Sequence, residues 1–248
     1  MKQLILLLLS TIIITIISCD NENNRCMKRS GEITTFNENL SNFSKISINS
    51  NFDVKLKQST NYSISITAGK NLIPYVEYNI SRGELSLRNN NRCNWLRDYS
   101  QVEVIISFPE IKEISITEAC NLSSIDTLKI SKLIIDNRAG ILNSDLTINC
   151  DSLEFRAHAS TGNYRFFGEV NYAYIYNIGN GYIFSHNMKC KTMHIVHKSL
   201  GRSIIHVTDL LMIENIEHGI VELRFGCPYI SFNSYEFKDR FEDNPVCQ

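Results

Sequence analysis

Apolar and polar residues alternate along most of the chain. Ile46-Ser47-Ile48, Val54-Lys55-Leu56, Ile64-Ser65-Ile66, Val102-Glu103-Val104 and Ile114-Ser115-Ile116 each set apolar side chains two residues apart. That is the period of a strand with one buried face. β-branched residues and tyrosine dominate these runs, and Asn and Ser fill the gaps. One short helix is expected near Asn71 to Tyr78, with Asn71 as its cap and Pro74 in its first turn. No long amphipathic helical pattern occurs, which excludes a sheet built from βαβ units.

A second, slower rhythm overlies the alternation. An apolar residue, followed by apolar residues three and five later, recurs as Ile111/Ile114/Ile116, Ile130/Leu133/Ile135, Cys150/Leu153/Phe155 and Val170/Ala173/Ile175. It continues as Cys190/Met193/Ile195, Thr208/Leu211/Ile213 and Cys227/Ile230/Phe232. The first members are 19, 20, 20, 20, 18 and 19 residues apart. Phe43/Ile46/Ile48 fits the same template. Glycines keep the beat at Gly140, Gly162, Gly181, Gly201 and Gly219. Repetition at a fixed period marks a chain of stacked, similar units. The competing β-sandwich needs frequent tight hairpins, yet Asn180-Gly181 is the only Asn-Gly or Asp-Gly dipeptide.

Two short strands per period of about 20 residues predict a right-handed parallel β-solenoid, with equivalent strands stacked in parallel. The second strand of each unit follows its glycine. Its expected inward residues are Tyr164 and Phe166, Ile183 and Ser185, Ser203 and Ile205, and Val221 and Leu223. The glycines are expected to supply positive φ at the corners.

The first 19 residues fit none of this. Leu4 to Ile17 is an apolar run of 14 residues, too short to span a bilayer but suited to a signal peptide. It ends in Ile16-Ile17-Ser18-Cys19, which resembles a bacterial lipobox. The expected organisation is a leader over 1–18, lipid on Cys19, a polar tether over 19–30, and one domain over 31–248 with a capping segment at about 233–248. Such a chain is lipid-anchored in the envelope of a Gram-negative bacterium, at the outer membrane or cell surface. The near-neutral charge, 25 basic against 26 acidic residues, argues against a nucleic-acid partner.

Phe43-Ser44-Lys45-Ile46-Ser47-Ile48 through Phe52-Asp53-Val54-Lys55-Leu56 resembles the opening of the head GIN domain family of auto-transporter adhesins. So do Asn71-Leu72-Ile73-Pro74-Tyr75-Val76 and Gly83-Glu84-Leu85-Ser86-Leu87. Cys93-Asn94-Trp95-Leu96-Arg97-Asp98-Tyr99 resembles the family's lipoprotein branch. The resemblance runs over about residues 31–232. It implies a repetitive β fold at the cell envelope and supplies no catalytic residues. The family's usual Gly-Ser-Gly corners are replaced here by Glu118-Ala119-Cys120, Asn137-Arg138-Ala139-Gly140 and Ser199-Leu200-Gly201.

Residue chemistry narrows the function further. Of the 8 cysteines, Cys150, Cys190 and Cys227 share the inward column and are expected to be buried thiols. Cys26, Cys93, Cys120 and Cys247 lie outside it, with Cys93–Cys120 a candidate disulfide. Cys190, His194 and His197 have zinc-like spacing, but on a strand His194 points away from Cys190. No metal or cofactor is expected. Glu236, Asp239, Glu242 and Asp243 read as a solvated C-terminal tail. No nucleophile elbow, phosphate loop or dinucleotide fingerprint occurs. Asp136 and Glu154 lie close on the outer face, but Arg156 beside them points to salt bridging rather than hydrolysis.

The outer face carries one informative cluster. Tyr174, Tyr176, His194, Val196 and Met212 are expected to adjoin there as a contact patch. Alternatively, the C-terminal segment with Phe232, Tyr235, Phe237 and Phe241 covers it. The expected function is a non-enzymatic envelope lipoprotein whose rod-like domain binds a protein or glycan partner, adheres, or builds structure, with self-association a further expectation. A glycan-binding or glycan-active protein is the alternative.

Overall fold

The structure, a computed structural model, describes residues 29–91, 101–233 and 239–246. Leader residues 1–18, Cys19, Cys26, the Cys93–Tyr99 motif, Tyr235, Glu236, Phe237 and Cys247 lie outside the described residues. The described residues are all-β, with 74% of them in strands.

Its central part pairs in parallel. β10 (Leu128–Asn137) lies between β8 (Glu113–Ile116) and the long winding stretch β11 (Leu142–Ser199). β12 (Arg202–Ile216) continues beside β11 and pairs with β13 (Ile220–Phe225) and β14 (Tyr229–Phe232). The register joins Leu133 to Leu153 and Ile135 to Phe155. It joins Met193 to Leu211 and Ile195 to Ile213, and then Leu211 to Ile230. The slow rhythm of the sequence is therefore written into the pairing. Two steps depart from it. Cys190 pairs with Val207 rather than Thr208, across a register shift. Ile114 faces Ile135, not Leu133, a slip of two residues. A slip of two changes the neighbour and leaves the buried face buried.

The whole sheet, however, is not a right-handed parallel β-solenoid, and the expected uniform rod is wrong. β1 (Ile33–Asn39) runs antiparallel to β4 (Ser63–Gly69), and β4 runs antiparallel to β7 (Glu103–Phe108). β5 (Val76–Ser81) and β6 (Glu84–Asn89) form an antiparallel hairpin. β2 (Lys45–Ile48) joins β6 to β8, and β3 (Asp53–Gln58) joins β7 to β9 (Cys120–Ser124), all in parallel. The sheet path is β1-β4-β7-β3-β9-β11-β10-β8-β2-β6-β5. This is a mixed-direction sheet curled into a half-barrel.

Inside the curl lies one hydrophobic cluster, from Phe43 through Phe155 to Leu223. Every expected inward residue of the second strands, from Tyr164 to Leu223, is fully buried. The glycine expectation holds only in part. Gly162 and Gly219 have positive φ, whereas Gly140, Gly181 and Gly201 do not. Gly201 is needed for a different reason: a Cβ there would sit 2.3 Å from the Gly181 carbonyl oxygen.

The expected helix over Asn71–Tyr78 is a single 3-10 turn, Ile73–Tyr75, entered from Leu72 without a side-chain cap. The Asn71 amide is used elsewhere, donating to the Arg29 carbonyl at 2.9 Å. Val76 already begins β5.

The cysteines divide differently than expected. Cys150 and Cys190 are free and buried, and burial pushes both thiols up to about 12. Cys120 is also a free buried thiol, so it does not pair with Cys93. Cys227 is disulfide-bonded and exposed, not a buried thiol. The solvated tail is also corrected in part. β15 (Phe241–Val246) pairs in parallel with β13, and Arg202 donates to Glu242 at 3.0 Å. Phe232 and Phe241 meet edge to face, 5.6 Å apart.

A buried polar ladder accompanies the core. Asn177 Nδ2 donates to the Gly181 carbonyl at 2.9 Å, and Ser199 Oγ donates to the same oxygen at 2.8 Å. One period later, His197 Nε2–H donates to the Gly201 carbonyl at 3.0 Å, and Ser203 Oγ donates to His197 Nδ1 at 3.0 Å. The carbonyl can only accept, so the tautomer is fixed. Burial pushes the His197 imidazole down to about 4.

Candidate functional site

Outward positions of β10 and β11 form an open groove of about 550 Å³. Tyr172, Tyr174 and Tyr176 alternate with buried Ala173 and Ile175, so strand geometry puts all three rings on the outer face. They stand about 7 Å apart along the strand, by its rise per residue. Ser152, Glu154, Arg156 and His158 line the groove from the preceding outward column, Lys132 from β10, and His194 from the following column.

The two histidines brace the tyrosine row. His194 meets Tyr174 edge to face at 5.2 Å, and His158 packs on Tyr176 at 5.4 Å. Each imidazole is itself anchored. His194 Nε2 donates to Glu214 at 2.8 Å, and His158 Nε2 donates to Asp136 at 2.9 Å. A carboxylate, an imidazole and a phenol ring thus follow one another twice, on opposite sides of the row. Partial burial pushes the Tyr172 and Tyr174 phenols up, helped by nearby Glu154 and Glu214 respectively. Both remain hydroxyl donors at neutral pH.

The carboxylates of the groove are engaged. Glu154 is paired with Arg156. Asp136 accepts from Arg138 at 2.8 Å as well as from His158. Burial pushes the Asp136 carboxyl up, but the hydrogen bonds from Arg138 and His158 outweigh it and hold the group below its usual value. This is the salt-bridged surface expected from the sequence.

Of the expected contact patch, Tyr174, Tyr176 and His194 line the groove. Met212 is half-buried on the neighbouring strand. Val196 does not belong to the exposed surface; it is only 3% exposed. A register shift between Ile195 and Val196 skips Glu214 in the strand ladder and sets Val196 beside Asn215. Such a bulge re-aims the side chains around it. Tyr172 and His158 were missed, although they occupy the adjacent outward positions of the same columns. Among the described residues, the groove lining includes none of the C-terminal segment.

A second cavity of about 670 Å³ abuts the groove where the sheet turns its corner. Ser131, Asp151 and Asn171 line it, and their chain neighbours Lys132, Ser152 and Tyr172 line the groove. Asn171 donates to Asp151 at 2.8 Å, and Asn149 accepts the Glu169 N–H at 2.9 Å. Among the described residues, no group of three or more His, Cys, Asp or Glu side chains is placed to hold a metal ion.

Residues 42–223 match the model of the family "Putative auto-transporter adhesin, head GIN domain". The chain belongs to this family. The solved structure of a "putative adhesin" from Bacteroides fragilis NCTC 9343 superposes with a TM-score of 0.72 at 16% identity, covering 87% of this chain and 94% of that one. A "putative adhesin" from Parabacteroides merdae ATCC 43184 gives 0.59 at 19%, covering 88% and 96%. A "putative lipid binding protein" from Parabacteroides distasonis ATCC 8503 gives 0.58 at 17%, covering 87% and 97%. At these identities the likeness is one of fold. Among curated proteins nothing matches the chain. Membership of the head GIN family agrees with a non-enzymatic, adhesin-like role at the cell surface or envelope.

Proposed function

We propose that this head GIN protein is a lipid-anchored binding module of the cell envelope, which holds a macromolecular partner in its tyrosine groove. The carrying observation is the groove itself. Three rings stand in a row, two of them braced by histidines that are tied to carboxylates. Tyrosine offers a large amphipathic contact area, and rings held in advance lose little freedom on binding. The engaged carboxylates favour contact over hydrolysis, since a general acid or base needs a carboxyl available to the substrate. Lipid on Cys19 follows from the lipobox pattern, and the polar tether after it gives the domain reach from the membrane.

Beads coated with the purified mature chain should adhere to intact bacterial cells or to extracellular matrix. The Tyr174→Ala/Tyr176→Ala double variant should adhere several-fold less while melting like the wild type. Equal adhesion by the variant refutes the groove as the contact surface. The anchor has its own test. Cys19→Ala should leave the membrane fraction on carbonate washing, and protease shaving of intact cells should remove the wild-type domain. A variant that stays with the membrane refutes the lipid anchor.

A further inference from the structure

We infer that the tyrosine groove and the adjoining corner cavity are two subsites of one surface for a neutral, hydroxyl-rich polysaccharide. This rests on the binding role proposed above and names its ligand class.

The chemistry of the lining favours a sugar. Pyranose rings have apolar C–H faces and a rim of hydroxyls. The faces need flat, rigid apolar platforms, and Tyr172, Tyr174 and Tyr176 supply three in a row. The hydroxyls need planar groups that both donate and accept. The Glu154–Arg156 pair and the Asp151–Asn171 pair present such groups at the groove wall and in the corner cavity.

Charge complementarity points to a neutral ligand. Lys129, Lys189 and Lys191 stand beside Glu110, Asp151 and Glu169 in the corner cavity, and Arg156 is matched by Glu154 in the groove, which leaves Lys132 as the excess cation. Binding an anionic polymer would require a larger surplus of cations than this near-balanced lining holds. The lining is also too polar for an acyl chain, which wants an enclosed apolar slot.

Geometry points to a polymer. The two cavities meet where Ser131, Asp151 and Asn171 pass to Lys132, Ser152 and Tyr172. A chain laid on the tyrosine row therefore continues around the corner of the sheet without leaving a lined surface.

The test is an array of neutral β-glucans, mannans, galactans and xylans beside polyuronates and phosphatidylglycerol vesicles, probed with the purified mature chain. At least one neutral polysaccharide should bind, with an affinity unchanged between low and high salt. Tyr174→Ala should weaken it by roughly tenfold, while Tyr182→Ala, an exposed tyrosine outside the groove, should not. Asn171→Ala should weaken long oligosaccharides and spare short ones that fit the groove alone. Salt-sensitive binding to polyuronates only, or binding to vesicles only, overturns the ligand class. So does a chain that binds no glycan yet still adheres as beads through Tyr174 and Tyr176; that result leaves the proposed function standing. Glycan binding that survives Tyr174→Ala overturns the site.

Discussion

β4, before Phe108, and β10, after Glu113, share one rule for burial and differ in how they pair. In β4, Ile64 and Ile66 are buried while their neighbours are not, and in β10 the same holds for Leu133 and Ile135. Yet β4 is antiparallel to both of its partners, and β10 is parallel to both of its own. Alternation reports which face is buried and is blind to strand direction. The link fixes direction only where it is short. A two-residue turn between β5 and β6 can only reverse the chain, whereas a longer link allows either sense: residues 40–62 return β4 antiparallel to β1, and the circuit from β10 into β11 returns parallel.

The largest expected effect tests the shared rule. Leu133→Asp and Ile64→Asp each bury a carboxylate without a partner, and each should cost about 3–5 kcal/mol. Ile134→Asp, half-exposed on the outer face of the same strand, should cost about 1 kcal/mol or less. Thermal melting of the three variants decides it. A large loss at Ile134, or a small one at Ile64, would break the claim that both regions bury one face.

That rule was also what the sequence revealed most clearly. The triplets from Ile130 to Ile213 are buried with the expected phase, apart from Thr208. The β5–β6 reversal was hidden because the hairpin turn is Arg82-Gly83, not Asn-Gly or Asp-Gly, and the antiparallel pairs of β4 were hidden because alternation carries no direction. Partner choice was hidden at Ile114, because a two-residue slip leaves the alternation intact. In the site, the outward columns exposed the tyrosine row, but Val196 was misread because a bulge leaves no mark in the alternation. The histidine–carboxylate braces join residues about 20 apart, and only the pairing register brings them together.

A smaller effect belongs to the parallel region alone. His197 is buried and neutral, with its imidazole pushed down to about 4, while an unfolded histidine titrates near 6.5. Above about pH 6.5 neither state binds the proton, and the stability is whole. As the pH falls from about 6.5 to about 4, only the unfolded chain takes up the proton. The folded state should lose up to about 3 kcal/mol across that window and little more from this group below it. His197→Asn copies Asn177, which donates to a carbonyl four residues on in the same way. Urea denaturation at a series of pH values should show a flatter acid limb for the variant. An unchanged limb would mean that other groups carry the acid sensitivity.

The smallest effect isolates the antiparallel region. Arg82 and Gly83 have φ of 51° and 76°, and Ser81 pairs with Glu84 across them. Two successive left-handed residues make a type I′ turn, whose twist suits a two-residue hairpin. A Cβ on Gly83 would meet nothing within 4 Å. Gly83→Ala therefore adds backbone strain and no clash, and should cost about 1 kcal/mol. Gly83→Asn should cost less, since asparagine tolerates this conformation. The consequence should be local. Amide exchange should quicken across Val76–Asn89 and stay unchanged in Leu142–Ser199, because the turn sets direction for one hairpin alone. The Gly83 carbonyl also accepts the Ser44 N–H at 2.9 Å, so any spread should appear first at the start of β2. Quickened exchange throughout β11 would show instead that the hairpin and the parallel stretch open as one cooperative unit.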